Sequence, residues 1–515
     1  MTVTTIPAFL DRTQRLIIDM SGLKAEQAGL ASLDVTVGLA TTTEAFATPL
    51  VRAITVFALN LLARTFPRVA LLPPLGSELL GPLYSEFETR WGFPYAVLGT
   101  GEIVPGKACD LMMAIGTVDH VYGARHVVTI GCDGWVAKFA QGPRPGSVSV
   151  ADSDNPLGGV VAACVGTAQL FARAIEPLMP PASLRRLGGP DSLEWSAYSY
   201  LHDGANPALP SPLLVEDLVM IGLGGVGSAA AAIISWVPGL EGSLTLVDPD
   251  QVDESNLNRF LIAPKSTVGS AKVEVVKTFL DRRQGMSVIA APMTYRQFVR
   301  QFGRPWDIVV SSVDNEEVRA AIQTDLPRVI IDGATAGPVI GISRHTFTDG
   351  ACLGCLHPVT EDSYGREIEI AKVLGIPLGD VIDRLSDDRP FSPWELAAIG
   401  SRLGLKGIDV SRRKSLRTLW AEDICGRIRL PAGDSSPQIE GSAAFVSSLT
   451  GALVAGEVLK EVAMMDHLDN QFMMQAFRGP SIGFPRKRNK APKCPCYCQK
   501  EAMQSSYAQL HNLER

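Results

Sequence analysis

The 515-residue chain contains no uninterrupted apolar run of about 18 residues, the length a membrane-spanning helix needs. The expectation is therefore a protein without a membrane partner. The first residues also lack a basic start followed by an apolar core, so they do not read as a secretory signal. Cytoplasmic location is the default expectation. Positive charge is not in excess: 47 Lys and Arg face 54 Asp and Glu, for a net charge of −7. That balance excludes the basic footprint of a general nucleic-acid binder. One short basic run, RKRNKAPK at 486–493, reads as a solvated connection. Histidine is scarce, with 7 residues scattered through the chain, and none forms a catalytic dyad. No short solenoid repeat is present.

At this length two or three domains are expected. The chain divides near residue 205. Residues 1–185 alternate helical patterns (44–65 and 155–175) with strand patterns (68–72, 110–116 and 126–131). Residues 186–212 continue a stretch rich in Pro, Gly and Ser and read as a linker. A second α/β unit covers 213–355 and resumes at 441–498, with strands expected at 217–221, 243–248, 307–312 and 328–332. Strands alternating with helices predict a doubly wound parallel sheet. Residues 356–440 are polar and broken by Gly and Pro, which marks a long insertion. Residues 499–515 read as a loosely held tail. Small-residue helices at 155–175 and 441–461 each follow a strand-rich unit, which suggests one large internal duplication.

The stretch LVMIGLGGVGSAAAAIISWV at 218–237 places Gly222, Gly224, Gly225 and Gly227 between a strand and a helix. Gly222 permits a tight turn, Gly224 lets backbone approach phosphate oxygens, and Gly227 lets the helix pack on the strand. Asp248 ends the next strand, where an acid can accept hydrogen bonds from ribose hydroxyls. NAD and ATP both fit this far. Arg259, in SNLNRF, and Lys272, in GSAKVE, separate them. Adenylyl transfer needs positive charge around the α-phosphate and leaving pyrophosphate, and NAD chemistry does not. Asp314, in SSVDNEEVR, falls just after a strand and can hold Mg²⁺ on the phosphates. Singly these three read as surface charges. Together, in this order, they favour ATP.

GLGGVGS, LVDPDQVDESNLNR, GSAKVE and SVDN, followed by CxxC, resemble the ThiF/MoeB and ubiquitin-activating enzyme superfamily over 213–355 and 441–498. The resemblance implies a Rossmann-like adenylation domain that uses Mg·ATP to adenylate the C-terminal glycine of a ubiquitin-like or sulfur-carrier protein. It implies that Asp248 binds ribose, that Asn256, Arg259 and Lys272 contact phosphates, and that Asp314 binds Mg²⁺. Asp250 and Asn315 join the candidate nucleotide set. Phe260 departs from the family's usual Gln after NLNR, which puts one polar contact in doubt. LDRTQRL at 10–16 resembles the opening of the non-catalytic half of eukaryotic activating enzymes, and Arg12 would be an arginine finger on the ATP. The run VALLPPLGSELLG lacks a glycine triad, so residues 1–185 resemble a degenerate, inactive adenylation domain. A degenerate unit fused to an active one is similar to the activating enzymes of Bil-type antiphage operons. Such an internal pseudo-dimer allows a functional monomer and leaves homodimers open.

Cysteine is used unevenly. Cys352 and Cys355 form CLGC, and Cys494, Cys496 and Cys498 form CPCYC. Distant cysteine pairs in a reducing compartment signal tetrahedral zinc, with two of the last three as ligands. His357 is a spare candidate. Cys109, Cys132 and Cys164 lie in or beside apolar runs and read as core. Cys425 alone falls between 356 and 493. In the resembled family this crossover region carries the cysteine that attacks the acyl-adenylate, and a thiolate suits that task. Arg427 and Arg429 could lower its pKa. The expected function is activation of a ubiquitin-like protein through a thioester on Cys425 and its transfer to a conjugating enzyme. The alternative is adenylation of a sulfur carrier or peptide without a lasting thioester.

Overall fold

The computed structural model describes 35–75, 102–105, 108–179, 187–281, 285–303, 306–358, 365–403, 414–419 and 443–513, apart from two single positions, together with a few residues around 13–18 and residue 181. Arg12 and Cys425, with Arg427 and Arg429, lie outside the described residues.

The first unit holds β1 (Thr36–Ala40), α1 (Thr43–Phe46), α2 (Pro49–Thr65), β2 (Arg68–Leu71), β3 (Glu102–Pro105), β4 (Leu111–Ile115), β5 (His126–Asp133), β6 (Val136–Gly142), α3 (Leu157–Ile175) and β7 (Ser192–Ser196). Its sheet runs β3-β2-β1-β4-β5-β6-β7. The first five of these strands pair in parallel, and β6 and β7 add antiparallel. The second unit begins with β8 (Leu213–Ile221), α4 (Gly225–Ser235), β9 (Leu240–Val247), α5 (Lys272–Leu280), β10 (Met286–Ala291) and α6 (Tyr295–Phe302). It continues with β11 (Ile308–Ser311), α7 (Glu316–Thr324), β12 (Val329–Ala336), β13 (Val339–His345) and the short α8 (Leu353–Leu356). Next come α9 (Gly365–Leu374), α10 (Leu378–Asp387), α11 (Pro393–Leu403) and α12 (Leu416–Leu419). The chain then returns through α13 (Ala444–Val462), β14 (Gln471–Gln475), β15 (Gly479–Arg486) and α14 (Glu501–Leu510). The second sheet runs β10-β9-β8-β11-β12-β13-β14-β15. It too is parallel through β12 and antiparallel beyond. The two units thus repeat one topology, and the mixed α/β, Rossmann-like class expected from the sequence is observed.

The two halves share a core. One apolar cluster runs from Leu16 and Val37 in the first unit to Leu449 and Phe477 in the second. The equivalent helices α3 and α13 meet in it, where Phe171 packs on Phe445 at 5.5 Å between ring centroids. Small residues explain the close packing: a Cβ on Gly451 would lie 2.8 Å from the Val226 carbonyl oxygen of α4. The segment Leu157–Leu178 is long and apolar enough to cross a membrane, but 94% of its apolar window is buried inside the protein.

Three sequence expectations are corrected. The stretch 186–212 is not a free linker: β7 closes the first sheet, and Trp195 and Tyr200 are buried. Its Pro and Gly mark the turns, whereas SLEWS alternates exposed and buried positions as a strand does. Residues 499–515 are not a loose tail, because α14 docks through buried Tyr507 and through His511, whose Nε2 lies 2.7 Å from the Leu326 carbonyl oxygen. Finally, the strand equivalent to β8 is β1, not the VALL strand β2, since β1 stands third in its sheet as β8 does. Where β8 is followed by glycines, β1 is followed by Thr41 and Thr42. Thr41 Oγ1 donates to the Ile115 carbonyl at 3.0 Å, and Thr42 Oγ1 caps α1 by accepting from Ala45 N at 3.2 Å. The Thr42 hydroxyl there takes up a helix N–H that a bound anion would otherwise meet.

The insertion forms a helical unit with its own core, including Ile370, Leu374, Val381, Phe391, Leu396 and Leu419. Arg384 lies 4.1 Å from the Phe391 ring centroid and holds Glu395 at 2.5 Å.

Candidate active site

In a doubly wound sheet the crevice opens at the carboxyl ends of the strands where the order reverses. Here that point lies between β8 and β11. Gly222 turns the chain with φ +85°, and a Cβ on it would lie 2.8 Å from the Ser312 carbonyl oxygen. A Cβ on Gly227 would collide with the Gly222 carbonyl oxygen. Gly225 faces Ser447 and Arg259, 2.8 Å and 3.1 Å from a built Cβ. Nothing lies within 4 Å of a Cβ built on Gly224. Gly224 is also the N-cap of α4, with no side-chain cap bond. The turn therefore presents helix N–H groups beside open space, the arrangement that suits phosphate.

Asp248 directly follows β9 with its side chain 6% exposed. Its Oδ2 accepts from Leu223 N at 2.6 Å and its Oδ1 from Asp250 N at 2.8 Å. A carboxylate has about four lone-pair sites, so room remains for ribose hydroxyls. Lys272 opens α5, donates to Asp250 Oδ2 at 3.0 Å and lies 4.0 Å from Asp248 Oδ1. Burial raises the Asp248 pKa, and the Lys272 charge opposes that rise. Burial alone would lower the Lys272 pKa, but Asp248 and Asp250, helped by Asp314, hold it above its usual value. Lys272 is thus a largely buried cation at the start of α5, held by the same Asp248 that accepts from Leu223 N of the glycine turn.

Asp314 is exposed, just past β11. Asn315 caps α7 by accepting from Val318 N at 3.0 Å. Arg259 donates to the Ser255 carbonyl at 3.2 Å and to Asn258 Oδ1 at 3.1 Å. Asn256 closes a capping box, with Oδ1 accepting from Asp253 N at 3.2 Å. Phe260 is 1% exposed and belongs to the shared core, so it packs rather than faces the crevice.

Residues 213–496 match the model of the ThiF family. The chain belongs to that family. A Sinorhizobium fredii relative, "Uncharacterized protein y4jF", is 28% identical over 458 residues, covering 85% of this chain and 84% of that one. "Ubiquitin-like modifier-activating enzyme 5" of Aedes aegypti is 29% identical over 228 residues, 39% of this chain and 57% of that relative. The chain therefore spans little more than half the length of that curated relative. Among solved structures, E. coli MccB with ATP is 15% identical at a TM-score of 0.36, covering 72% of this chain and 97% of MccB.

The ThiF-family chain also gathers its separated cysteines. Cys352, Cys355, Cys494 and Cys498 bring four sulfurs within 4.8 Å of one another. Cys352 lies 3.3 Å from Cys494 and 3.6 Å from Cys355, and Cys355 lies 3.6 Å from Cys498. Zinc–sulfur bonds of about 2.3 Å imply sulfur separations of about 3.8 Å in a tetrahedron, so the set fits that ion. The hydrogen bond from Cys352 lowers the pKa of the Cys355 thiol. Cys496 is buried beside the set but falls outside the four. His357 does not join it, because Nε2 faces Asp332 Oδ2 at 3.4 Å. Cys109, Cys132 and Cys164 are buried, and burial pushes the first two thiols up to about 11 and about 12.

Sequence reasoning missed Asn60 and Arg64. Both are buried on α2, and Arg64 reaches across to the loop that carries Arg259. The available signal was an Asn and an Arg four apart in a largely apolar helix.

Proposed function

We propose that this chain adenylates the C-terminal glycine of a ubiquitin-like protein, carries it as a thioester on Cys425, and passes it to a conjugating enzyme. The observation that carries this reading is Lys272, held by Asp248 and Asp250 beside an uncapped glycine turn. A substrate carboxylate oxygen attacks the α-phosphorus of ATP, and pyrophosphate leaves. Lys272 and Arg259 stabilise the negative charge that develops, while Asp248 orients the ribose. Mg²⁺ at Asp314 would neutralise phosphate charge. The Cys425 thiolate then attacks the acyl carbon, a C–S bond forms, and AMP leaves. Arg12 would add charge from the first unit, which in this reading is the inactive partner of an internal pseudo-dimer. The threonine-filled turn after β1 supports that assignment. The four-thiol set would hold structural zinc, stitching α8 to the C-terminal segment. Antiviral defence of the Bil type is the setting that the two-unit arrangement suggests.

The test is incubation with Mg·ATP and a candidate ubiquitin-like protein ending in glycine, read on a non-reducing gel and by intact mass. An ATP-dependent adduct that thiol reductant removes, and that Cys425→Ala abolishes, is the expected result. ATP–pyrophosphate exchange without an adduct would instead indicate adenylation of a sulfur carrier or peptide, and would return Cys425 to a structural role.

A further inference from the structure

The loop 257–263 carries neither helix nor strand, yet it is buried between the two units: Leu257, Phe260, Leu261, Ile262 and Ala263 are each at most 5% exposed. Irregular backbone in an interior needs hydrogen-bond partners from elsewhere. Here they come from the other unit. Arg64 donates through its two terminal nitrogens to the carbonyls of Leu257, Leu261 (3.0 Å) and Ala263 (3.3 Å). Asn60, one turn earlier on α2, donates Nδ2 to Leu261 O at 2.9 Å and accepts from Arg64 Nε at 2.7 Å. Those acceptors are all neutral oxygens, and burial lowers the Arg64 pKa to about 9. Such a cation is costly to bury, so its place is explained by what it holds. The carbonyls it grips lie on both sides of Arg259 and directly after Asn256.

We propose that Arg64, braced by Asn60, is a positioning residue through which the first unit sets the loop that aims Arg259 at the phosphates of ATP. The inference rests on the adenylation reading and adds a second dependence of the nucleotide site on the first unit, separate from Arg12. Arg64 touches no substrate and acts through Arg259. Five donors in a fixed fork allow one side chain to hold three carbonyls, and lysine supplies only a point charge.

The experiment measures dissociation constants of Mg·ATP and of adenosine for the full-length chain and its variants. Adenosine lacks phosphates, so it reports the rest of the nucleotide site. Arg64→Met is expected to weaken Mg·ATP by roughly 10- to 100-fold, the size of lost charge-assisted hydrogen bonds, and adenosine by less than about 2-fold. Arg64→Lys should recover part of the loss. In an Arg259→Ala background, Arg64→Met should weaken Mg·ATP by no more than about 2-fold further, because the two residues act in series. Should Arg64→Met fail to fold, Asn60→Ala carries the same comparison with a smaller, roughly 5-fold loss confined to Mg·ATP. Equal losses of adenosine and ATP, or losses that multiply with Arg259→Ala, would overturn the proposal by reducing Arg64 to scaffold. Unchanged Mg·ATP binding in the Arg64 variants would overturn it alone. A wild-type chain that binds no Mg·ATP would overturn the nucleotide reading and this inference with it.

Discussion

A methyl group at Gly227 would run into the Gly222 carbonyl oxygen, and neither group can yield without opening the turn. Gly227→Ala should cost about 3 kcal/mol in a denaturant melt and abolish nucleotide binding. Lys272 poses the opposite case, a buried charge whose partners raise its pKa. Lys272→Met should lower ATP–pyrophosphate exchange by roughly 100- to 1,000-fold, the scale of losing one preorganised charge at a developing anion. His345 supplies the pH test. Burial lowers its pKa to about 4, Nδ1 donates to the Ala351 carbonyl at 2.7 Å, and Ser343 Oγ lies 2.8 Å from Nε2. With the folded pKa below the unfolded value, its contribution is intact above about pH 6.5 and is lost as pH falls toward 4. That single group should remove about 3 kcal/mol between pH 7 and pH 4, and His345→Gln should flatten the difference in paired urea melts.

At the scale of elements, the cysteine set tests how α8 meets the C-terminal segment. Cys352 is the N-cap of α8 and Cys355 lies within it, while Cys494 and Cys498 arrive after β15. Metal analysis should give one zinc per chain for the wild type and for Cys496→Ser, and a strong loss for Cys498→Ser. Retention in both variants would point to exchange between the sulfurs. A second junction ties α13 to the segment after β7. Glu457 and Lys460, both fully buried, pair with each other and with Tyr200, and Lys460 Nζ also donates to the Tyr198 carbonyl at 2.9 Å. This is why a stretch dense in Gly and Pro is anchored.

Across the whole molecule, the two repeated sheets meet through α3 and α13 in one core. Cutting between them would expose the faces of both helices to water. A fragment of residues 213–515 should therefore aggregate or unfold without a cooperative transition, while the full chain melts cooperatively. A soluble fragment with a sharp melt would make the second unit an independent domain.

The sequence by itself located the glycine turn, Asp248 and Asp314, because each is placed by the strand immediately before it, and it located Lys272 at the start of a helix pattern. It also determined the α/β class, since hydrophobic periodicity reports local backbone and the face it buries. Tertiary structure decided what periodicity cannot carry. It assigned Cys494 and Cys498, not Cys496, to the four-thiol set, because spacing of one residue leaves all three within reach of a metal. It made 192–196 a strand, moved the counterpart of β8 to β1, and docked α14. It also joined Arg64 to carbonyls almost 200 residues away. Pairing across such distances depends on which surfaces the folded sheets and helices bring together, and no local pattern encodes it.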